Sequence, residues 1–303
     1  MAEFFVDNTA RPRRSLLSVP AINLRALQKL SSLTCDGAIF DLEDSVAPEV
    51  KDEARDNLLS VFRETPLVNR EAIIRINPLS STAGRKDVDA VLSCLPQAVL
   101  LPKVEQPSDI HELADLLDEA DAPEGMQIWA MIETPRGILN AAAIAEAAHT
   151  TGSRLGAFVV GLNDLRKDTR VPARPGRTYL VPWLMQILLA ARAYGLDVID
   201  SVSNDFRDLD AFATECEQGR DMGFDGKMLI HPAQIEAANA AFAPDEAALA
   251  EARETIAAFA KPESVGLNVI NMNGRMIERL HVTGAERLVA IAGIIAARKA
   301  ENQ

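Results

Sequence analysis

Short apolar runs alternate with longer amphipathic segments along most of this 303-residue chain. Eight such runs are bounded by turn residues, and they occupy 15–19, 37–42, 72–76, 98–102, 128–132, 156–161, 196–200 and 227–231. Continuous apolar runs of this length are typical of parallel strands that are buried on both faces. The amphipathic segments predict helices over 23–33, 48–63, 86–94, 107–120, 137–148, 180–194, 207–219 and 233–241.

The ends of these runs follow one another at intervals of roughly 30 residues, which is the length of one βα unit. Eight successive units predict an α/β fold of the (β/α)8 TIM-barrel class. A doubly wound open sheet is the alternative, but it usually has fewer units and a glycine-rich phosphate turn after its first strand. Here the first run ends in SVPAIN, without a GxGxxG motif, and this favours the barrel.

The pattern changes near the C-terminus. We expect residues 1–244 to form the catalytic barrel domain and 245–303 a C-terminal helical extension. A Gly- and Asn-containing segment joins its two predicted helices, 245–261 and 284–300, and is predicted to form a lid or a subunit contact. The apolar stretch 288–297 is far shorter than the roughly 20 residues that a membrane span needs, and predicts a buried helix.

Composition limits the kinds of partner. The chain is 48% hydrophobic and 25% charged, as in an ordinary globular protein. Its net charge of −13 argues against nucleic acid or an anionic membrane as the main partner. Cys35, Cys94 and Cys216 match neither a metal motif nor a disulfide framework. The N-terminal residues lack the apolar core of a secretory signal, so we expect a cytoplasmic protein.

Polar residues collect at the C-terminal ends of the predicted strands, where barrels of this class carry their active sites. They are Asp41, Glu43, Asp44, Arg75, Asn77, Lys103, Glu105, Glu133, Asn163, Asp164, Asp200 and His231. Carboxylates that share one mouth repel one another unless a cation or basic residues offset their charge. The set therefore predicts a site that contains a metal.

Two of these carboxylates have the spacing expected of metal ligands. Glu133 and Asp164 each directly follow a predicted strand, and the two strands are neighbours. Two carboxylates with waters suit Mg2+ or Mn2+ and leave positions open for substrate oxygens. Zinc is disfavoured, because the sequence has no clustered His and Cys set. Arg75, which ends the third run, predicts a bidentate contact with a substrate carboxylate.

Eight motifs, spread over nearly the whole chain, resemble in order those of the HpcH/HpaI aldolase and citrate lyase beta-subunit family. They are RSLLSVP (14–20), AIFDLEDSV (38–46), IIRINP (73–78), LLPKVE (100–105), MIETPRGILN (131–140), GLNDLRKD (161–168), GLDVIDSV (195–202) and GKMLIHPAQI (226–235). The resemblance is strongest to the citrate lyase beta and malyl-CoA lyase branch. It implies a TIM barrel, a homo-oligomer (trimer or hexamer), and Mg2+ as cofactor, with Mn2+ as the alternative.

The resemblance also assigns roles to residues at the barrel mouth. Glu133 and Asp164 match the family's metal ligands, and Arg75 matches the arginine that engages the 2-oxo acid. Asp44 matches an acid near the metal's water ligands, and Glu43 is its neighbour in that network. These residues are the expected catalytic and metal-binding set.

Basic residues outside this set are predicted to contact the thioester carrier. Arg14 and Lys29 align with positions near the pantetheine or nucleotide entrance, and Arg174 and Arg177 are loop candidates for the carrier's phosphates. For all four, an ordinary solvated surface position is the alternative.

The extension departs from the family pattern. Thioester-acting relatives carry a motif resembling G-x-M-I-D-x-P, whose aspartate serves the neighbouring subunit's site. This chain has GRMIERLH (274–281), so Glu278 takes the aspartate's place. Its extra methylene displaces the carboxylate by about 1 Å or more, and a misplacement of that size can lower a rate about 100-fold. The alternative is an ordinary Glu–Arg pair on a helix.

Together, the motifs imply a Mg2+-dependent carbon–carbon lyase that cleaves or forms a malyl-, citramalyl- or citryl-CoA type thioester. The partners implied are a CoA thioester and a 2-oxo acid. Three alternatives stay open: a pyruvate-type aldolase, an acyl-CoA thioesterase on the same metal site, and a carrier-dependent citrate lyase beta subunit.

Overall fold

The computed structural model of the protein describes residues 10–272 and 274–301. Residues 1–9, in which the sequence predicts no secretory signal, lie outside this part of the chain, as does Asn273 of the predicted lid segment. The chain divides into two compact units, of which one is Arg13–Phe242 and the other contains the segment from Ala243 onward.

Eight parallel strands form a closed barrel in which each strand pairs with the next and the last pairs with the first. They are β1 (Ser15–Pro20), β2 (Gly37–Asp41), β3 (Glu71–Arg75), β4 (Ala98–Leu101), β5 (Gln127–Ile132), β6 (Leu155–Val160), β7 (Asp197–Asp200) and β8 (Gly226–Leu229). Each strand overlaps one of the predicted apolar runs, so the prediction of a (β/α)8 barrel is confirmed.

Helices follow each strand of the barrel. They are α1 (Leu24–Lys29), α2 (Lys51–Glu64), α3 (Thr82–Cys94), α4 (Pro107–Glu119), α5 (Pro135–Leu139), α6 (Ala141–Glu146), α7 (Leu162–Thr169), α8 (Val181–Ala193), α9 (Leu209–Met222) and α10 (Ile235–Ala241). The predicted helix over 137–148 is divided at Asn140, whose side chain donates a hydrogen bond to the carbonyl of Glu105. Helix α7 had no predicted counterpart.

Alternate strand residues point into the barrel, as the two-residue period of a strand requires. The interior cluster takes residues from all eight strands and includes Leu16, Ile39, Ile73, Leu100, Trp129, Val159, Ile199 and Met228. Their neighbours along the strands pack outward with the helices in a larger cluster. This alternation fixes which strand-end residues face the mouth.

An arginine closes the end of the barrel at which the strands begin. The Arg13 guanidinium is 4% exposed and donates to both carboxylate oxygens of Glu71 at 2.8 Å. It also donates to Asp197 at 2.7 Å and lies over the Trp129 ring at 4.6 Å. A buried charge with this many partners is compensated, so Arg13 forms a polar plug beneath the aliphatic interior.

A second buried ion network lies outside the barrel wall. Lys227 is fully buried and contacts Asp200 at 2.9 Å and Glu215 at 2.8 Å. Arg177 donates to both Asp200 oxygens, at 2.7 and 2.8 Å. Because Asp200 directly follows the inward-pointing Ile199, it faces the helices, so the prediction that it lies at the mouth is wrong. Arg177 is likewise engaged in this network and does not serve as a phosphate ligand.

The C-terminal unit contains a hairpin that the sequence analysis did not predict. Its elements are α11 (Glu246–Phe259), the antiparallel strands β9 (Val269–Met272) and β10 (Arg275–Glu278), and α12 (Leu280–Glu301). Arg279 donates to the carbonyls of Ser264 and Leu267, both at 2.8 Å. The alternative prediction, that Glu278 and Arg279 form an ordinary pair on a helix, is therefore wrong. Glu278 ends a strand, and its side chain is exposed.

The last helix is half-buried to exposed rather than buried. In α12, Ala285 is the buried residue, which contradicts the prediction of a buried helix over 288–297. Within the described residues, this helix alone is long and apolar enough to cross a membrane, by length and composition only. Core helices of soluble proteins pass the same test, so the observation by itself assigns no membrane role.

Candidate active site

A cavity of about 260 Å³ opens at the mouth of the barrel, where the strands end. Asp41, Arg75 and Glu133 line it, and each stands two residues after an inward-pointing aliphatic or methionine side chain of its strand. Further polar residues that line it are Ser18 of β1, the loop residues Asp44, Ser45 and Ser201, and Asn163 and Asp164 in the first turn of α7. The structure therefore brings together most of the predicted catalytic and metal-binding set.

Glu133 is a buried carboxylate at this mouth. It is 1% exposed, and its Oε1 accepts a hydrogen bond from the backbone N–H of Lys103 at 2.9 Å. Burial, reinforced by the nearby Glu43 carboxylate, raises the pKa of Glu133 to about 8. A divalent cation beside this carboxylate would hold it in its charged form.

Asp164 reaches the same cavity from the first turn of α7. The Leu162 N–H, at the start of this helix, donates to the Ser201 hydroxyl at 3.0 Å. Asn163 exchanges side-chain hydrogen bonds with Asn204 at 2.8 and 3.2 Å. Asp164 remains 20% exposed, with Lys167 as an ion-pair partner at 3.3 Å. The carboxylate is thus carried on an anchored turn yet accessible from the cavity.

The donor set suits a hard divalent cation. No group of three or more His, Cys, Asp and Glu side chains with metal-binding geometry occurs in the described part of the chain. Two carboxylates lining one cavity, with the remaining positions left to water and substrate, are what Mg2+ commonly uses. The raised pKa of the buried Glu133 is a further sign of a carboxylate placed to meet a cation. The residues present therefore fit Mg2+.

Arg75 is less free to bind substrate than the sequence analysis predicted. Its Nε and Nη2 donate to the two Asp41 oxygens at 2.6 and 2.5 Å, so Asp41 takes the bidentate edge. Burial would raise the pKa of Asp41, but Arg75 and the Ser45 hydroxyl outweigh it and the pKa is lowered. The predicted bidentate contact with a substrate carboxylate is wrong in this arrangement. Nη1 is the guanidinium nitrogen that Asp41 does not bind, and it donates to the Met131 sulfur at 3.7 Å.

Glu43 and Asp44 lie at different depths. Glu43 is 2% exposed, with Oε2 lying 3.1 Å from Arg75 Nη1 and Oε1 paired with the Lys103 ammonium. Burial outweighs both cations and raises the pKa of Glu43. Asp44 is 59% exposed and lies 3.6 Å from the same ammonium. Lys103 thus takes part in the site, although the sequence analysis gave it no role.

The predicted carrier-binding residues do not gather at this mouth. Arg14 precedes β1, at the opposite end of the barrel, and Asp36 binds its guanidinium at 2.8 and 2.9 Å. Its prediction as an entrance residue is therefore wrong. Lys29 is exposed on the last turn of α1, where its carbonyl accepts a hydrogen bond from Ser32. Arg174 is exposed too, and the carrier role of both stays a prediction.

Two further residues support the site in ways that the sequence analysis missed. Lys103 has φ +54°, an uncommon conformation for a residue with a β-carbon. Gly161 directly follows β6, and a β-carbon there would lie 2.4 Å from that of Glu133. The GLND sequence could have indicated the glycine, because a glycine between a core strand and a carboxylate marks a close approach. No local pattern predicts the conformation of Lys103.

Comparisons with known proteins agree with this geometry. The chain is 43% identical over 291 residues to a (3S)-malyl-CoA thioesterase of Cereibacter sphaeroides, covering 96% of this chain and 98% of the relative. It is 32% identical to the mitochondrial citramalyl-CoA lyase of Homo sapiens, covering 93% and 86%.

Among solved structures, the chain resembles protein CitE of Mycobacterium tuberculosis in complex with magnesium, acetoacetate and coenzyme A. The TM-score is 0.70 at 30% identity, over 94% of this chain and 98% of that one. Residues 14–232 match the family described as HpcH/HpaI aldolase/citrate lyase. The fold, the carboxylate-lined mouth and these matches place the chain in the HpcH/HpaI aldolase/citrate lyase family.

Proposed function

We propose that this protein is a Mg2+-dependent carbon–carbon lyase. Its substrate would be a 3-hydroxyacyl thioester of the malyl-, citramalyl- or citryl-CoA type, and its products an acetyl-type thioester and a 2-oxo acid. The observation that supports this most strongly is the placement of Glu133, Asp164 and Arg75 around one cavity at the barrel mouth. The reverse reaction, which forms the carbon–carbon bond, would use the same groups.

The roles of the mouth residues follow from their contacts. Glu133 and Asp164 would hold Mg2+, with Mn2+ as the alternative, and the ion when bound supplies Lewis-acid stabilisation of negative charge on substrate oxygens. Asp41 fixes the guanidinium plane of Arg75 through Nε and Nη2 and leaves Nη1 unbound by Asp41. That nitrogen would donate to an oxygen of the 2-oxo acid portion and orient it for cleavage.

The reaction needs a group that moves a proton at the thioester end. When the carbon–carbon bond breaks, the hydroxyl group becomes the carbonyl of the 2-oxo acid and gives its proton to solvent water, and the acyl fragment becomes an enolate that must be protonated on carbon. Glu278 ends β10 with an exposed carboxylate and would perform this step for a neighbouring subunit. This role requires a homo-oligomer, which we propose to be a trimer or a hexamer.

The products formed provide the decisive test. Malyl-, citramalyl- and citryl-CoA are each incubated with the protein and Mg2+, and 2-oxo acid and free thiol are measured in parallel. The lyase releases one 2-oxo acid per thioester consumed, while the thioester bond is preserved in the other product. Consumption without any 2-oxo acid would refute the lyase proposal.

A thioesterase is the second candidate, because the relative at 43% identity carries that name. In this case water attacks the thioester carbonyl, and free CoA appears with the intact hydroxy acid. The assay separates the two reactions by product: free thiol without 2-oxo acid indicates hydrolysis. A pyruvate-type aldolase would bind no CoA in calorimetry, and a carrier-dependent subunit would bind Mg2+ and substrate yet turn over no CoA thioester.

A further inference from the structure

Lys103 adopts a backbone conformation that its residue type disfavours. It follows β4 with φ +54°, in the left-handed region where a β-carbon crowds the neighbouring carbonyl. Lys103 does not itself line the cavity, but its backbone N–H contacts Glu133, which does. Other described non-glycine residues with positive φ are Asn69, Leu95, Asp121, Arg170 and Arg177. A strained conformation beside an active site is an observation from which a functional role can be argued.

This conformation lets one residue serve three carboxylates. The backbone N–H of Lys103 donates to Glu133 at 2.9 Å. Its ammonium pairs with Glu43 and lies 3.6 Å from Asp44. The side chain is 35% exposed, whereas Glu43 is 2% exposed, so the ammonium covers the buried acid from the solvent side.

The ion pair between Lys103 and Glu43 affects which groups the Arg75 guanidinium binds. Asp41 occupies its Nε and Nη2. The remaining Nη1 donates a weak hydrogen bond to the Met131 sulfur at 3.7 Å and lies 3.1 Å from Glu43 Oε2. Because the other Glu43 oxygen is neutralised by Lys103, Glu43 need not rely on Arg75 alone. Without that ammonium, a buried carboxylate whose nearest cationic neighbour is Nη1 would draw this nitrogen fully to itself.

We propose that Lys103 is a positioning residue that keeps Arg75 Nη1 available to the 2-oxo acid by taking a share of the Glu43 charge. The proposal rests on the proposed function for the identity of the ligand. The contact to Glu133 is made by the backbone, so it is independent of the Lys103 side chain. Side-chain variants should therefore separate 2-oxo acid binding from Mg2+ binding.

Titration calorimetry on purified full-length protein tests this with Lys103→Met, Lys103→Gly and Lys103→Arg. Mg2+ is titrated first, and glyoxylate or oxaloacetate is then titrated into the Mg2+-saturated protein. For the Met and Gly variants we expect 2-oxo acid affinity to fall by about tenfold or more, while the Mg2+ dissociation constant stays within about threefold of wild type. Lys103→Arg should restore most of the affinity, because it returns a cation to Glu43.

Two controls keep the test decisive. Lys86→Met removes an exposed lysine of α3 that pairs with Asp52 at 3.2 Å, and it should change neither affinity. Lys103→Gly relieves the positive φ, so it provides a folded variant even if Lys103→Met is unstable.

The calorimetric results distinguish the role of Lys103 from the proposed function. Wild-type 2-oxo acid affinity in both the Met and Gly variants overturns the assignment, and so does a parallel loss of Mg2+ binding, which would indicate a merely structural role. Wild-type protein that binds no 2-oxo acid in the presence of Mg2+ refutes the proposed function instead.

Discussion

Gly161 and Glu133 approach so closely that a β-carbon on the glycine would lie 2.4 Å from the β-carbon of the glutamate and 2.5 Å from its Oε2. The end of β6 thus leaves the space in which the carboxylate of the neighbouring strand lies. No rotation of a flexible side-chain tip relieves a clash at a β-carbon, so the fit depends on the absence of a side chain.

Gly161→Ala should therefore displace Glu133 and weaken Mg2+ binding by about tenfold or more, because ligand positions must be held within a few tenths of an ångström. Calorimetry with Mg2+ measures the effect, and a thermal melt checks the fold. Gly125→Ala is the matched control, since a β-carbon there has no neighbour within 4 Å. Unchanged Mg2+ affinity in Gly161→Ala would contradict the assignment of Glu133 as a ligand.

Glu133→Gln should abolish Mg2+-dependent turnover and leave the fold intact. The amide is nearly isosteric, retains an oxygen for the Lys103 N–H, and removes the charge that a divalent cation needs. Turnover, Mg2+ binding and circular dichroism are measured together. In the wild type, EDTA should remove activity and added Mg2+ should restore it, so activity that persists in EDTA would refute the metal requirement.

Glu278→Gln should lower carbon–carbon cleavage by about 100-fold, the usual contribution of a general acid or base, without changing Mg2+ affinity. Both quantities are measured on the full-length protein. Glu263→Gln, which alters another exposed carboxylate of the C-terminal unit, should have no effect. Equal rates for the Glu278 variant and wild type would remove Glu278 from the proposed mechanism.

The lowered pKa of Asp200 predicts how the free energy of unfolding depends on pH. Burial would raise the pKa of Asp200, but Lys227 and Arg177 outweigh burial and lower it below the ordinary 3.8. A carboxylate whose pKa is lower in the folded state than in the unfolded state stabilises the fold. This stabilisation is complete at pH values above the pKa of the unfolded state, and it is lost as the pH falls through the pKa of the folded state.

Urea unfolding between pH 7 and pH 3 checks this expectation. Wild type should lose stability below about pH 4, whereas Asp200→Asn should show a weaker dependence there. At pH 7 the variant should be less stable by about 3–5 kcal/mol, because it removes the buried carboxylate that Lys227 and Arg177 share and leaves Lys227 with Glu215 alone. A variant with the full acid dependence of wild type would contradict this account.

Much of the barrel could be predicted from sequence because a buried parallel strand has a composition that local windows detect. The sequence also contains the information on which side of the barrel wall each strand-end residue faces. Asp41, Arg75 and Glu133 stand two residues after Ile39, Ile73 and Met131, whereas Asp200 directly follows Ile199. Because side chains alternate along a strand, residues an even number of positions after an interior residue face the mouth, and residues an odd number of positions after it face the helices.

Other features depend on contacts between distant residues. The pairing of Arg75 with Asp41 follows from strand register. Lys103 has a positive φ and contacts three carboxylates that follow two other strands, β2 and β5. The β9–β10 hairpin had a local signal, the Asn-Gly pair between two short apolar segments. That signal was outweighed by the long helical patterns on either side.

The Arg13 plug has a consequence for the movement of molecules through the protein. With Arg13, Glu71 and Asp197 sealing one end and aliphatic side chains filling the middle, the barrel offers no passage from end to end. In the proposed reaction, substrate and both products would enter and leave through the same opening at the barrel mouth. In the proposed reaction, the product beside Glu133 would lie deeper and would leave after the product nearer the mouth.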